Sequence, residues 1–261
     1  MIQSLAYIDP QAKIAANVVI EPFTTIHKDV EIGEGTWIAS NVTIFPGARI
    51  GKNCKIFPGA VIAAVPQDLK FDGENTIVKI GDNTTIRECV TINRGTVDKN
   101  KTEVGSNCLL MAYVHLAHDV TVGDNVIISN GVQVAGHVDI HDNARIGGLS
   151  AVHQFVTIGR HVMIEGGSMV SKDVPPFVKA GRYPLSYEGV NSIGLRRNGF
   201  TSEKINEIQD IYRFLFVQNN NMSKAILQVE ANMNVSAERD EILDFVKASE
   251  RGVMKGFQNR K

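Results

Sequence analysis

The chain holds one tryptophan and three cysteines in 261 residues, and only 7% of it is aromatic. With so few rings, its interior must be filled by aliphatic side chains. Cys54, Cys89 and Cys108 are an odd number without metal-type spacing, which argues against both a disulfide framework and a zinc knuckle and leaves reduced thiols. A dominant charge is also missing. Lys and Arg number 27 against 28 Asp and Glu, for a formal charge of -1, so no broad field attracts nucleic-acid phosphates and no nucleic-acid role is expected. No run approaches the ~18 apolar residues that a membrane span requires. The start MIQSLAYIDPQAK lacks a basic segment followed by an apolar one, so the expected location is cytoplasmic.

Ile and Val together make about a fifth of the residues, a β-branched excess that favours strands over a helix bundle. They are periodic. Ile2, Ile8, Ile14, Ile20, Ile26, Ile32, Ile38, Ile44, Ile50, Ile56 and Ile62 stand six apart, and the phase resumes at Ile80, Ile86 and Ile92. It resumes again at Val104 and continues through Leu110, Leu116, Val122, Ile128, Val134, Ile140, Ile146, Val152, Ile158 and Ile164 to Val170. Only Asp68, Glu74 and Asp98 break the series, all within the two gaps. No helix period gives a repeat of six. One branched aliphatic per hexapeptide, set among small residues, Asn, Asp and Gly, describes short strands that each send one large side chain inward. This predicts a parallel β-helix whose triangular coil takes three hexapeptides, with coils stacked at roughly 4.8 Å. The gaps, near 63–79 and 93–103, contain the polar stretches PQDLKFDGEN and RGTVDKNKTE. Each is either irregular coil or a loop projecting from the prism, and a projecting loop is either plain connection or part of a site.

The phase is lost at Asp173-Val174-Pro175-Pro176, where paired prolines are expected to end the ladder. The expected division is a β-helix over 1–175 and a linker with a small α-helical domain over 176–261. Helices are expected from Thr201 to about Gln218, over 222–231 and over 236–257. On the last of these, Lys247, Arg251 and Lys255 at i, i+4 and i+8 would form a basic stripe, a candidate landing surface for an acidic partner.

Five of the seven histidines, His115, His118, His137, His141 and His153, lie within 40 residues of one another. No two are 36 apart, the spacing a solenoid metal site of the carbonic anhydrase kind would need, so no metal is expected. His118, Gly136 and Gln154 stand 18 apart, one column over three coils, two residues past the inward positions 116, 134 and 152. An outward imidazole next to an accessible main-chain N–H is what acyl transfer needs; surface packing between subunits would also explain it.

The stretches His115-Leu116-Ala117-His118-Asp119, Ala135-Gly136-His137-Val138 and Ala151-Val152-His153-Gln154-Phe155 resemble the bacterial UDP-N-acetylglucosamine 3-O-acyltransferases. So do Gln67-Asp68-Leu69-Lys70, Asp173-Val174-Pro175-Pro176, Gly189-Val190-Asn191 and Arg196-Arg197. The resemblance implies a left-handed β-helix, the exception to right-handed crossovers. It further implies a homotrimer with active sites between subunits, a 3-hydroxyacyl chain delivered by acyl carrier protein, UDP-N-acetylglucosamine as acceptor, no cofactor or metal, and the first step of lipid A biosynthesis. By the same resemblance His118 matches the general base, Asp119 the residue that orients it, and the Gly136 N–H the oxyanion donor. Because adjacent strand side chains point to opposite faces, an indirect contact between His118 and Asp119 is expected. Asp68, Lys70, His115, His137, His153 and Gln154 match sugar or acyl contacts, while Asn191 and Arg197 match nucleotide and phosphate contacts. Gly166 matches an acyl-chain ruler, and an axial groove from Gly136 is expected to pass it. One position departs: Ile193 stands where the family has a carboxylate. The alternatives are a hexapeptide transferase using acyl-CoA on a small amine or sugar, and a non-catalytic scaffold.

Overall fold

The structure, a computed structural model, describes residues 4–218 and 221–256. From Tyr7–Ile8 to Met169–Val170 the chain passes through strands of two to four residues, in rotation over three parallel faces. The nine-strand face runs from Tyr7–Ile8 to Met169–Val170 and the eight-strand face from Lys13–Ile14 to Thr157–Ile158; the ten-strand face starts at Val19–Ile20 and ends at Ser186–Val190. His115 stacks on Gln133 and Gln133 on Ala151, the expected coil of three hexapeptides. Every aliphatic of the six-residue series from Ile20 to Val170 is buried, and Ile8 and Ile14, in the open first coil, are half-buried. Ile2 lies outside the described residues.

A second inward column escaped the sequence argument. Two residues before many of the large aliphatics stands a smaller buried one, such as Val30, Val42, Ala60, Val90, Val114 and Val156. It fills the corners between the large side chains, as close packing requires. Cys54 and Cys108 belong to this column, and burial pushes both thiols up, Cys108 to about 11. They are packing residues, not nucleophiles.

The two gaps are excursions. Val61–Ala64 and Ile77–Ile80 occupy successive faces, as do Thr91–Asn93 and Lys101–Val104, so each interruption leaves and rejoins the helix at one corner. Both leave from the same corner, between the nine- and eight-strand faces, on neighbouring coils.

The prolines do not end the ladder. Val178–Gly181 pairs in parallel with Met163–Ile164, and Ser186–Val190 pairs antiparallel to it, so strand structure runs past position 175 to Val190. Pro176 sits at a corner, so close over Gly159 that a β-carbon there would lie 2.5 Å from the proline nitrogen. No ladder N–H is needed at such a corner, and the imide is tolerated.

Among the described residues, four α-helices follow: α1 (Ser192–Arg197), α2 (Ser202–Arg213), α3 (Met222–Asn232) and α4 (Ala237–Ala248). Asn191, Thr201, Asn221 and Ser236 cap their N-termini through side-chain oxygens. The short α1 was not expected, and α2 continues into a wider turn over Phe214–Gln218. The cap is bound to the prism by the Tyr212 hydroxyl, which donates to the Pro176 carbonyl at 2.6 Å, and by an Arg160–Glu241 ion pair at 2.6 Å. Helix α4 ends at Ala248, short of the expected 257, which lies outside the described residues. Gly252 turns the chain at φ 73°, and Val253 and Lys255 then bridge to Asp173 and Ser186. The expected stripe is therefore not on one helix face, because beyond Ala248 the tail bonds along the end of the prism, with the Met254 N–H donating to the Asp173 carbonyl and the Tyr187 N–H to the Lys255 carbonyl. Lys247 instead pairs with Glu230 at 2.8 Å.

Where cap and prism meet, His161 is stacked on Phe177 and edge-on to Phe200. Burial, with Arg160 and Arg145 adding to it, pushes its pKa from 6.5 down to about 4. Between these values the unfolded chain takes up a proton that the folded one refuses, so stability is complete above pH 6.5 and falls with acidification. The loss is expected to reach roughly 2–3 kcal/mol near pH 4. Thermal melts at pH 7 and pH 5 check this: His161→Asn, which suits the residue's left-handed backbone (φ 57°), should lower stability at both pH values and narrow the difference between them. An undiminished difference would assign the acid sensitivity to other groups.

Candidate active site

His118, Asp119 and Gly136 lie at the corner from which both excursions leave. At this corner the residue after His118 takes a left-handed backbone, φ 59° at Asp119, as His137 and Phe155 do on the next two coils. The left-handed turn, not strand alternation, decides where the Asp119 side chain goes. It brings the carboxylate directly onto the imidazole, with Oδ2 2.8 Å from His118 Nδ1, and the expected indirect contact is corrected.

Asp119 is fully buried and held from the 94–100 excursion. Thr96 donates its N–H to Oδ1 at 2.9 Å and its hydroxyl to Oδ2 at 2.7 Å, and the Lys99 N–H reaches Oδ1 at 3.2 Å. Burial alone pushes this carboxyl up, but hydrogen bonds from Thr96, His118 and the Thr96 and Lys99 amides outweigh it and bring the pKa below its usual value. An ionised Asp119 accepts from His118 Nδ1–H. That assigns the remaining lone pair to Nε2, which faces the 65–76 excursion with Asp68 Oδ2 at 4.0 Å.

Gly136 lies against the other side of the ring. A β-carbon on it would stand 2.7 Å from His118 Cε1 and 2.8 Å from Nε2, so only glycine permits this approach. Its N–H donates to no acceptor in the described chain. His137, one coil on, is edge-on to His118 with ring centroids 5.0 Å apart and stacked on Phe155 at 4.7 Å. Asp98 Oδ2 lies 2.9 Å from its Nδ1.

A cavity of about 700 Å³ opens over these groups, lined by Asp68, Lys70, His118, His137 and Gln154 together with Phe155 and residues of both excursions. Five of the residues expected from sequence thus meet in one place. The others do not line it. His115 faces outward from the nine-strand face, with Thr91 Oγ1 2.7 Å from its Nδ1, and burial lowers its pKa. The His153 ring turns toward Arg251. Asn191 caps α1 and donates to the His161 carbonyl at 2.9 Å, and Arg197 is exposed on that helix's last turn. Ile193 is exposed beside them; the neighbouring Ser192 hydroxyl, held by Gln209 Nε2 at 3.2 Å, is already engaged.

Gly166 corrects a second expectation. It stands at the corner between the ten- and nine-strand faces, where a β-carbon would meet the Gly148 carbonyl at 3.2 Å, whereas Gly136 stands at the corner on the far side of the nine-strand face. Turns alternate with faces in a triangular coil, so residues 30 apart lie on different corners and no axial groove of one chain passes both. Thr96, Asp98, Lys99 and Phe155 were not foreseen. Three of them sit in an excursion whose partners no periodicity specifies.

His118, Asp119 and His137 could place three ligand atoms within 4.8 Å of one another around a cation. The donor chemistry disfavours it: the Asp119 carboxylate already accepts hydrogen bonds from Thr96, Lys99 and His118, which a metal would have to displace. Among the described residues, no helix is long and apolar enough to cross a membrane.

Comparison with known proteins identifies the family. The bacterial transferase hexapeptide family matches residues 29–64 and 101–136, and the second domain of the UDP N-acetylglucosamine O-acyltransferases matches 173–254. The acyl-[acyl-carrier-protein]--UDP-N-acetylglucosamine O-acyltransferase of Leptothrix cholodnii is 45% identical over 97% of this chain and 99% of its own, and that of Herminiimonas arsenicoxydans 41% identical over 98% and 99%. A solved UDP-N-acetylglucosamine acyltransferase from Bacteroides fragilis superposes with a TM-score of 0.95 at 50% identity, covering 98% of this chain and all of the other. With a relative this similar along its whole length, and with hexapeptide coils that end in the matching second domain, the chain belongs to the UDP-N-acetylglucosamine O-acyltransferase family.

Proposed function

We propose that the protein transfers a 3-hydroxyacyl chain from acyl carrier protein to the glucosamine 3-hydroxyl of UDP-N-acetylglucosamine, opening lipid A biosynthesis in the cytoplasm. The observation that carries this reading is the buried Thr96–Asp119–His118 relay ending beneath Gly136. His118 Nε2 takes the proton of the 3-hydroxyl as that oxygen attacks the thioester carbonyl. The Gly136 N–H holds the tetrahedral oxyanion, a donor worth about 3 kcal/mol in comparable sites. As the C–S bond breaks, His118 returns the proton to the departing thiolate. Asp119 keeps the imidazole in the required tautomer, and Asp68, Lys70, His137 and Gln154 line the space for sugar and acyl groups. His115, His153, Asn191 and Arg197 would complete the acceptor site. No cofactor or metal enters this scheme.

A homotrimer resolves the separation of Gly136 and Gly166. The outward residues of the nine-strand face are Tyr7, Thr25, Thr43, Val61, Thr91, His115, Gln133, Ala151 and Met169, with no Lys, Arg, Asp or Glu among them. The eight-strand face instead carries Lys13, Glu31, Arg49, Lys79, Glu103 and Asp139 outward. At the ten-to-nine corner Phe23, Tyr113 and Leu149 are 62%, 66% and 79% exposed despite left-handed backbones, a costly arrangement for bulky apolar groups unless something covers them. Three prisms with their nine-strand faces around one axis would set each catalytic corner against a neighbour's ten-to-nine corner. Gly166 of one subunit would then border the acyl chain bound at Gly136 of the next.

The test incubates UDP-N-acetylglucosamine with a 3-hydroxyacyl carrier protein or with acetyl-CoA and follows the sugar nucleotide by mass spectrometry. Acylation by the carrier protein alone is expected; acylation by acetyl-CoA alone would reassign the donor. Glycine at 166 implies a long chain, on the order of fourteen carbons or more, each buried methylene adding ~0.8 kcal/mol. Gly166→Met is expected to shift preference to shorter donors in a competition assay. An unchanged profile in a folded variant would place the ruler elsewhere.

A further inference from the structure

The tail beyond α4 carries a polar contact that the expected site residues do not explain. Arg251 Nη2 lies 3.2 Å from His153 Nδ1 and donates to the Ser171 carbonyl at 3.3 Å. His153 Nδ1 also lies 3.0 Å from the Gln154 carbonyl oxygen. These two contacts of one ring nitrogen are mutually exclusive as hydrogen bonds. A guanidinium can only donate, so toward Arg251 the nitrogen must be bare; a carbonyl can only accept, so toward Gln154 it must carry the proton. A charged donor generally makes the stronger bond, which favours the bare nitrogen toward Arg251.

We propose that Arg251 is a positioning residue that holds His153 with its proton on Nε2, and so makes it a hydrogen-bond donor to an oxygen of the acceptor substrate. The part concerning substrate rests on the function proposed above; the part concerning the tautomer does not. The geometry is built for this. Gln154 and Phe155, the next two residues, line the catalytic cavity, so His153 stands at its edge. Arg251 is delivered there by backbone that does not depend on its side chain. The Asp173 N–H donates to the Gly252 carbonyl at 3.2 Å, the Met254 N–H to the Asp173 carbonyl at 2.9 Å, and the Lys172 ammonium to the Arg251 carbonyl. With the proton fixed on Nε2, the ring offers a donor to hydroxyl or phosphoryl oxygens, which both accept; with the proton on Nδ1, Nε2 would face a phosphoryl oxygen as a second acceptor.

Nitrogen-15 spectra of the histidine rings in the free, full-length protein read the tautomer directly. The unsubstituted protein is expected to show His153 protonated at Nε2. Arg251→Met should move the proton to Nδ1, toward the Gln154 carbonyl, and raise KM for UDP-N-acetylglucosamine about tenfold, the equivalent of one lost hydrogen bond to a charged or polar ligand, with kcat changed less than about threefold. Arg251→Lys, still a donor, should keep the Nε2 tautomer and most of the affinity, which a merely structural role for the side chain would not produce. An unmoved tautomer in Arg251→Met overturns the positioning role. A moved tautomer with unaltered KM overturns the substrate contact. Failure of the unsubstituted protein to acylate the sugar nucleotide would defeat the functional reading and the substrate contact with it, while the ring spectra would still decide the tautomer.

Discussion

His118→Ala is expected to lower kcat by about 10³-fold or more while leaving the thermal midpoint nearly unchanged. The residue is 7% exposed, a degree of burial that for most residues would make truncation costly to the fold. Here it borders a cavity, and its removal strips no packing from the prism core, whose inward positions on these coils are Leu116, Val134 and Val152. Nor does it strand a charge. Asp119 loses one of its hydrogen bonds but keeps those from Thr96 N–H, Thr96 hydroxyl and Lys99 N–H, enough to hold a buried carboxylate ionised. Steady-state assays with the carrier-protein donor, alongside a melting curve, give both quantities. Residual activity above a few per cent would remove His118 from the role of base.

The contrast between what the sequence specified and what it left open follows from two kinds of physical constraint. The prism was legible because each coil repeats the same demand, an aliphatic in the same inward slot, so the period survives two interruptions and places 118, 136 and 154 in one column. The smaller inward column is not legible in the same way, because its residues are mixed, Val with Ala, Cys and Ser, and carry no single signature. Phase arithmetic could place His118, Gly136 and Gln154, but not the partners of Asp119. Those come from Thr96 and Lys99 in an excursion, where the chain is freed from the repeat and side-chain hydrogen bonds determine the path. The Asp119 contact itself failed under strand reasoning because the residue sits in a left-handed turn. The basic stripe failed at a helix end: three residues after Ala248, Arg251 has left the helix and lies beside His153, a contact that helical spacing could not predict. Gly166 misled for a related reason, since distance along the sequence is not position around a triangle.

Gly136→Ala separates two roles that the glycine combines. Its φ is outside the left-handed region, so alanine meets no backbone strain, and its N–H, the proposed oxyanion donor, is retained. What changes is space: the added methyl would lie 2.7 Å from His118 Cε1 and 2.8 Å from Nε2. The imidazole has little freedom to yield, because Asp119 holds Nδ1 at 2.8 Å and His137 stands edge-on to it. It must tilt off the line toward the substrate hydroxyl. Misplacing a base by about an ångström costs on the order of 10²-fold, and partial occlusion of the oxyanion position adds to that, so a fall in kcat of roughly 10²–10³-fold is expected with the fold intact. The double variant identifies the cause. If the methyl acts through the ring, adding Gly136→Ala to His118→Ala should cost much less than it does alone, because the ring it displaces is absent. Full additivity of the two losses would show that alanine blocks the oxyanion or substrate position itself, and that close approach to His118 is not why glycine is required.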